Sequence, residues 1–324
     1  MAKPWMKWSF LEAGTRATSV MFQKCLGIVS DTFGQAMLGT FVVGFIQVLC
    51  SSIVIRIKRK KIFSSKRHIL GSVWFGFNAA VCTVLPFYTF VLGADSTIRT
   101  FIVCLSIIPG ALIDKYYFNN SLEKRQWLGV LVAIIAGYSI LGWPSLNEFI
   151  TLPLWVWLSF VMTGLVAVNQ GVTQWIKDVD PMVKNFWGGS TTLIFAVIGL
   201  VILLSLDLVK LTDSRLIEIL TNTQVTQKII LFSGLAGLIV ILMWSFNVLG
   251  YRDGAKIAIK KLVVQGSYLG LVAIFGTIFF PDETWTLAKT AGIALYLFAF
   301  SLMDNDTWEY FTQTAKNNHA RPSN

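Results

Sequence analysis

The chain has 324 residues, of which 55% are hydrophobic and only 14% charged, and its mean hydropathy is +0.65. Soluble globular chains carry about 25% Asp, Glu, Lys and Arg, so a water-solvated globule is excluded and lipid is the expected solvent. The net charge of +10 does not point to nucleic acid, because the basic residues fall in short loops between apolar runs without aromatic interleaving.

Apolar length and polar breaks predict ten helices, at approximately 4–26, 33–57, 70–93, 97–118, 126–143, 153–176, 184–206, 228–250, 256–280 and 286–303. The first is the least apolar and carries Arg16 in mid-span. A charge at bilayer depth costs about 2.5–3.5 kcal/mol and usually faces protein or a water-filled cavity. Glu12, one turn earlier, can neutralise it, and Thr15, Thr18 and Ser19 widen the polar side. A structural pair and a cavity-lining pair that meets substrate or a proton both fit. Glu12, Arg16 and Lys24 interrupt any secretory h-region, so no leader of that kind is expected. A mitochondrial presequence is conceivable from the basic, Ser/Thr-containing start.

The second helix is a clear apolar run, and a loop with seven basic residues, Arg56–Arg67, follows it. In the third helix Pro86 removes a backbone hydrogen bond and bends the chain. Asn78 and Tyr88 are candidate lining residues for which packing is favoured. Arg99 opens the fourth helix, with Asp95 four residues earlier as an expected partner. Pro109 bends the same helix further on. Gly129, Ala133, Ala136 and Gly137 give the fifth helix a small-residue face suited to close contact.

The sixth helix carries a polar stripe of Asn169, Gln170, Thr173 and Gln174, suited to interhelical hydrogen bonds or to a central cavity. Lys184 reads as an inner-loop cation, and Trp244 and Asn247 in the eighth helix are candidate lining residues for which packing is favoured. The ninth begins with Lys256, Lys260 and Lys261, after which no charged residue occurs from Leu262 to Phe280. These lysines can anchor a helix end by snorkelling, or they can hold an anion. Trp127, Trp143, Trp155 and Trp285 read as an interfacial belt.

With a cytoplasmic N-terminus, twenty Lys/Arg fall on the inner side, six on the outer side, and Arg16 within a span. That asymmetry supports an even number of helices with both termini inside. A repeat points the same way. At a shift of 150, Trp5, Ser9, Phe10, Gly14 and Ala17 meet Trp155, Ser159, Phe160, Gly164 and Ala167, and Gly39 meets Gly189. At a shift of 157, "VLGADSTIR" meets "VLGYRDGAK" and pairs Arg99 with Lys256. Two basic groups, one at each mouth, suit an anion path. The repeat also makes residues 4–26 the counterpart of 153–176 and not a cleaved presequence.

The fold expected is therefore all-α integral membrane, with ten transmembrane helices as two inverted five-helix repeats. The halves are 1–150 and 151–310, with a polar tail at 311–324. Cys25, Cys50, Cys82 and Cys104 form no CxxC pair, and His68 and His319 lie in a basic loop and the tail, so no metal or cofactor is expected. With no P-loop, GxSxG or HExxH in the sequence, an enzyme is not expected.

The passage "IRTFIVCLSIIPGALIDKYYFNNSLEKRQWLGVLVAIIAGYSILGW" resembles the drug/metabolite transporter superfamily. It has a mid-span proline (Pro109), a short turn with a glutamate (Glu123), and a Gly-rich fifth helix from Gly129 to Gly137. The resemblance implies a ten-helix solute carrier. In the nucleotide-sugar and triose-phosphate branches a basic pair on the ninth helix holds substrate phosphate, and Lys260 and Lys261 stand in that region.

The leading expectation is transport of a small polar metabolite, with an anion favoured, by alternating access. Lys260, Lys261, Arg16, Asn169, Arg99 and Lys256 are the candidate substrate-binding residues. Transport of amines, amino acids or other neutral or cationic solutes, with Glu12 as the working charge, is the alternative. A non-transporting subunit with a transporter-like fold is a third reading. The partners expected are a small-molecule substrate and the lipid bilayer, with no nucleic acid. A homodimer or larger membrane assembly stays open, as does the choice among endomembrane, plasma and mitochondrial inner membranes.

Overall fold

The computed structural model describes residues 4–303 except 31, 64, 121–122, 141–142, 144 and 209–215. The tail, with Asn305 and His319, lies outside the described residues, as do Lys210, Arg215 and Ser121. The described elements are all helices: α1 (Pro4–Ile28), α2 (Phe33–Ile57), α3 (Lys66–Val91), α4 (Ser96–Cys104), α5 (Ile107–Tyr117), α6 (Lys124–Ile140), α7 (Leu146–Ile150), α8 (Leu154–Trp175), α9 (Pro181–Leu208), α10 (Leu216–Thr221), α11 (Thr223–Arg252), α12 (Ile257–Phe279) and α13 (Leu287–Met303).

Local chemistry sets several of these boundaries. Thr32 and Gln35 form a capping box on α2: the Gln35 N–H donates to Thr32 Oγ1 at 3.4 Å, and the Thr32 N–H to Gln35 Oε1 at 3.2 Å. Asp95 caps α4 through the Ile98 N–H at 2.9 Å. The single helix predicted at 97–118 is two, α4 and α5, parted at Leu105 and Ser106. Pro109 explains the break, since its ring collides with the carbonyl four residues back and it has no N–H to offer that carbonyl. Pro86 sits inside α3 without ending it. The short helices α7 and α10 fall in stretches read as loops.

Six stretches among the described residues are long and apolar enough to cross a membrane: Phe33–Ile57, Lys66–Val91, Ser96–Tyr117, Leu154–Trp175, Pro181–Leu208 and Thr223–Arg252. Val263–Phe279 and Leu287–Ala299 are shorter apolar helices. Large apolar side chains face outward along these elements, such as Ile194, Ile198, Val201 and Ile202 on α9 and Leu231, Leu238 and Leu242 on α11. Contiguous exposed apolar surface on this scale is the mark of a lipid-facing belt. The chain has the makeup of a multi-pass membrane protein.

The packing places α1, the most polar long helix, against α11, α12 and α3. Helix α8 packs on α3, α4 and α5; α2 packs on α9 and α11; α3 packs on α9; and α6 packs on α13. Small residues permit the closest approaches. A Cβ on Gly76 of α3 would lie 2.7 Å from the Gly188 Cα of α9. The small face of α6 is buried as its composition suggested, with Ala133 and Ala136 fully covered.

Candidate functional site

Six helices, α1, α3, α4, α8, α11 and α12, enclose a central cavity of about 100 Å³. Its polar lining includes Arg16, Ser19 and Gln23 from α1, Arg99 from α4, Asn169 and Gln170 from α8, and Asn247 from α11. Phe75, Met162, Met243 and Trp244 supply apolar wall. Pro86 lines it as well, and the Cys82 carbonyl that Pro86 deprives of a helical partner belongs to the same lining turn.

A buried charge network closes one end of this space. The Arg16 guanidinium donates to Glu12 Oε1 from Nε at 3.0 Å and from Nη2 at 2.7 Å, the turn-spaced pair that the sequence offered. Glu12 Oε2 lies 2.8 Å from Lys260 Nζ on α12, with both side chains only 1% exposed. Lys260 also donates to the Asn247 carbonyl at 2.8 Å and sits 4.0 Å above the Tyr251 ring. Gly250 makes room for it, because a Cβ there would lie 2.8 Å from Lys260 Cε. Asn247 Nδ2 donates to Glu12 Oε1 and to Gln170 Oε1, and the Tyr251 hydroxyl to Gln170 Oε1, each at 2.8 Å.

Lys261 points elsewhere. Its Nζ donates to the Ser106 carbonyl at 3.1 Å, in the turn that Pro109 opens between α4 and α5. Lys260 and Lys261, with Glu12, Arg16, Gln170 and Gln265, surround a smaller and tighter space beside the main cavity. Arg16 borders both spaces. Of the predicted site residues, Arg16, Arg99 and Asn169 meet in the main cavity, and Lys260 and Lys261 adjoin it. Lys256 does not join them: it is the exposed N-cap residue of α12.

Arg99 differs from its expected role. It is not paired with Asp95, which caps α4 and takes Lys289 Nζ at 2.8 Å. Arg99 is instead 2% exposed. Its Nε donates to Thr89 Oγ1 at 3.0 Å, Nη2 reaches Met162 Sδ at 3.8 Å, and the guanidinium lies 4.8 Å from the Phe90 ring centroid. Its Nη1 makes no hydrogen bond and has no carboxylate within ion-pairing distance among the described residues. Gln23 Oε1, Asn169 Oδ1 and Asn247 Oδ1, on cavity-lining residues, are likewise unbonded. Buried polar atoms are rarely left so.

Helix ends recur at an offset of 161 residues, not 157. Val91 and Arg252, which end α3 and α11, are 161 residues apart, as are Ser96 and Ile257, which begin α4 and α12. In that register Arg99 aligns with Lys260 and not with Lys256. The lining residues Ala79, Cys82, Thr83 and Pro86 of α3 align with Val240, Met243, Trp244 and Asn247 of α11. On α1 and α8, Arg16, Ser19 and Val20 align with Val166, Asn169 and Gln170 at the shift of 150 read from the sequence.

Trp244 and Asn247 take the lining role and not the favoured packing one: both border the cavity. Lys184, read as a loop cation, is fully buried; it donates to Thr173 Oγ1 at 2.8 Å and lies 3.5 Å from the Phe75 ring centroid. The signal that was available for it was its place inside a helix beginning at Pro181, a favoured first helical residue.

At one end of the bundle, Lys24 of α1 pairs with Asp282 at 3.0 Å and Glu283 at 2.5 Å, both between α12 and α13. Glu283 also accepts from the Ser96 N–H at 2.6 Å and from the Ser96 hydroxyl. The Lys24 hydrogen bond holds the Asp282 carboxyl below the usual range. At the other end, Lys60 pairs with Asp180, Arg67 donates to the Trp175 carbonyl, and Arg252 donates to the Val179 carbonyl at 2.7 Å. No group of His, Cys, Asp and Glu suited to a metal ion occurs among the described residues.

No known protein family and no curated protein matches the sequence. A solved structure described only as the crystal structure of a protein matches over 96% of this chain and 99% of its own length, with a TM-score of 0.61 at 11% identity. At that identity the likeness shows a shared fold and nothing about activity.

Proposed function

We propose that this chain is a multi-pass membrane transporter of a small anionic metabolite, built as ten spans in two inverted five-helix halves. The observation that carries the reading is the central cavity, to which α1, α3 and α4 contribute from one half and α8, α11 and α12 from the other. The two-fold relation draws support from the packing. Exchanging the halves turns the α1–α11 contact into α8–α3, α2–α11 into α9–α3, and α1–α12 into α8 with α4 and α5, while α2–α9 and α6–α13 map onto themselves. The aligned lining positions on α1 and α8, and on α3 and α11, support it too. A midplane site between repeats is the usual arrangement in such folds.

Charge favours an anion over an amine. Arg16, Arg99, Lys260 and Lys261 are gathered around or beside the cavity, and Glu12 is already committed to Arg16 and Lys260. An added cation would meet an excess of positive charge, and an added anion would offset it. In the alternating cycle, the Lys24–Glu283 tie at one end and the Lys60–Asp180 tie at the other would break in turn as one half rocks against the other.

The test is exchange in proteoliposomes. Purified protein preloaded with unlabelled carboxylates or phosphates is expected to take up the labelled anion and to ignore labelled amines. Uptake of amines alone would reverse the charge assignment, and uptake of nothing, with stoichiometric copurifying subunits, would replace transport by a structural role.

A further inference from the structure

We infer that Arg99 is the carboxylate-binding end of the cavity and that the ligand is a short monocarboxylate with an apolar body. The inference deepens, and rests on, the reading of the cavity as an anion site. A buried guanidinium without a counter-ion is expensive to maintain. Its contacts to Thr89, Met162 and the Phe90 ring are already assigned, and the Tyr268 hydroxyl, which also faces it and accepts from Thr100, is neutral and supplies no counter-charge. Nη1 is the donor left over on a residue that lines the cavity. One strong donor site of this kind matches one carboxylate, and charge-assisted hydrogen bonds are the stronger kind.

The surroundings decide what carries that carboxylate. Val103, one turn along α4 from Arg99, lines the cavity together with Met162, Met243, Phe75 and Trp244. The Phe75 and Trp244 rings meet edge to face at 4.6 Å. Such a wall suits a hydrocarbon body, while the unbonded amide oxygens of Gln23, Asn169 and Asn247 on the polar side leave acceptors for a water or for one ligand hydroxyl. Volume points the same way: an apolar cavity of roughly 150 Å³ accepts benzene, so one of about 100 Å³ suits roughly a three- or four-carbon acid and not a hexose phosphate. The inference therefore departs from phosphate held on Lys260 and Lys261, whose ammonium groups are occupied by Glu12 and by the Ser106 carbonyl.

The test is calorimetric titration of the detergent-purified protein with isobutyrate at neutral pH. Isobutyramide serves as the neutral isostere and glucose 6-phosphate as the bulky phosphate. Isobutyrate is expected to bind, and isobutyramide and the Arg99→Gln variant are expected to bind about ten-fold or more weakly, the scale of one charge-assisted hydrogen bond. Arg99→Lys keeps the charge and is expected to retain part of the affinity, which preserves the test if Arg99→Gln does not fold. Equal binding of acid and amide, or undiminished binding by a folded Arg99→Gln protein, overturns the inference. Isobutyrate binding without anion exchange in liposomes would sink transport and leave this site standing. Exchange of glucose 6-phosphate with no isobutyrate binding would do the reverse.

Discussion

Glu12 of α1 and Lys260 of α12 form a fully buried ion pair, 2.8 Å between Oε2 and Nζ, across 248 residues of sequence. Arg16 shares the same carboxylate at 2.7 Å. The two cations are therefore not equivalent to the one anion. Glu12→Gln strands both Arg16 and Lys260 and is expected to cost about 3–5 kcal/mol, the scale of an uncompensated buried charge. Lys260→Met leaves Glu12 neutralised by Arg16 and is expected to cost clearly less. Denaturation midpoints of both variants in one detergent check the order.

Gly250 is the notch that admits the Lys260 stem, since a Cβ at that position would lie 2.8 Å from Lys260 Cε. Gly250→Ala gains about 1 kcal/mol of helix propensity but collides with a Lys260 stem held in place by Glu12 and the Asn247 carbonyl, and is expected to cost about 1–2 kcal/mol net through overpacking. In a Lys260→Ala background the same substitution is expected to be neutral or stabilising by up to about 1 kcal/mol, because the colliding atoms are gone and the propensity gain remains. The double-mutant cycle measures that coupling directly.

Lys184 is fully buried, held by the Thr173 hydroxyl and the Phe75 ring, with no carboxylate within ion-pairing distance among the described residues. Even buried ion pairs are often replaced by apolar side chains at no cost or with a gain of about 1–4 kcal/mol, and Lys184 has no ion-pair partner among the described residues to lose. Lys184→Met is expected to match or exceed the thermal stability of the parent protein. A clear loss would mean that the ammonium contributes more through Thr173 and Phe75 than its burial costs.

How much of this was legible in the sequence depends on the range of each interaction. Apolar runs placed the long helices, and Pro109 marked where α4 and α5 part, because both are local effects. The Glu12–Arg16 pair was legible for the same reason, being one helical turn apart. Lys260 against Glu12 was not, since nothing in either neighbourhood names a partner so distant in the chain. Proximity misled for Arg99: Asp95 is four residues away, but it caps α4 and binds Lys289. Trp244 and Asn247 are open to lining or packing in the sequence, and only the packing of α11 against α1 and α3 decides for lining.

The Lys24–Glu283 contact makes a second claim testable. Cys82 lines the cavity and can report its accessibility in a protein with Cys25, Cys50 and Cys104 changed to Ser. A loss of about 1.4 kcal/mol from the closed arrangement multiplies the open population roughly ten-fold. Glu283→Gln is therefore expected to speed labelling of Cys82 by a membrane-impermeant maleimide by about that factor. Isobutyrate is expected to slow the labelling in both proteins.

The most direct test of the account is counterflow of a labelled carboxylate or phosphate into proteoliposomes, comparing the parent chain with Arg99→Gln. The parent chain is predicted to accumulate label against an unlabelled internal pool, and the variant, if monodisperse by size exclusion, to lose about nine-tenths or more of that flux, in line with one lost charge-assisted contact. Undiminished flux through the variant, or no flux of any such anion through the parent chain, would contradict it.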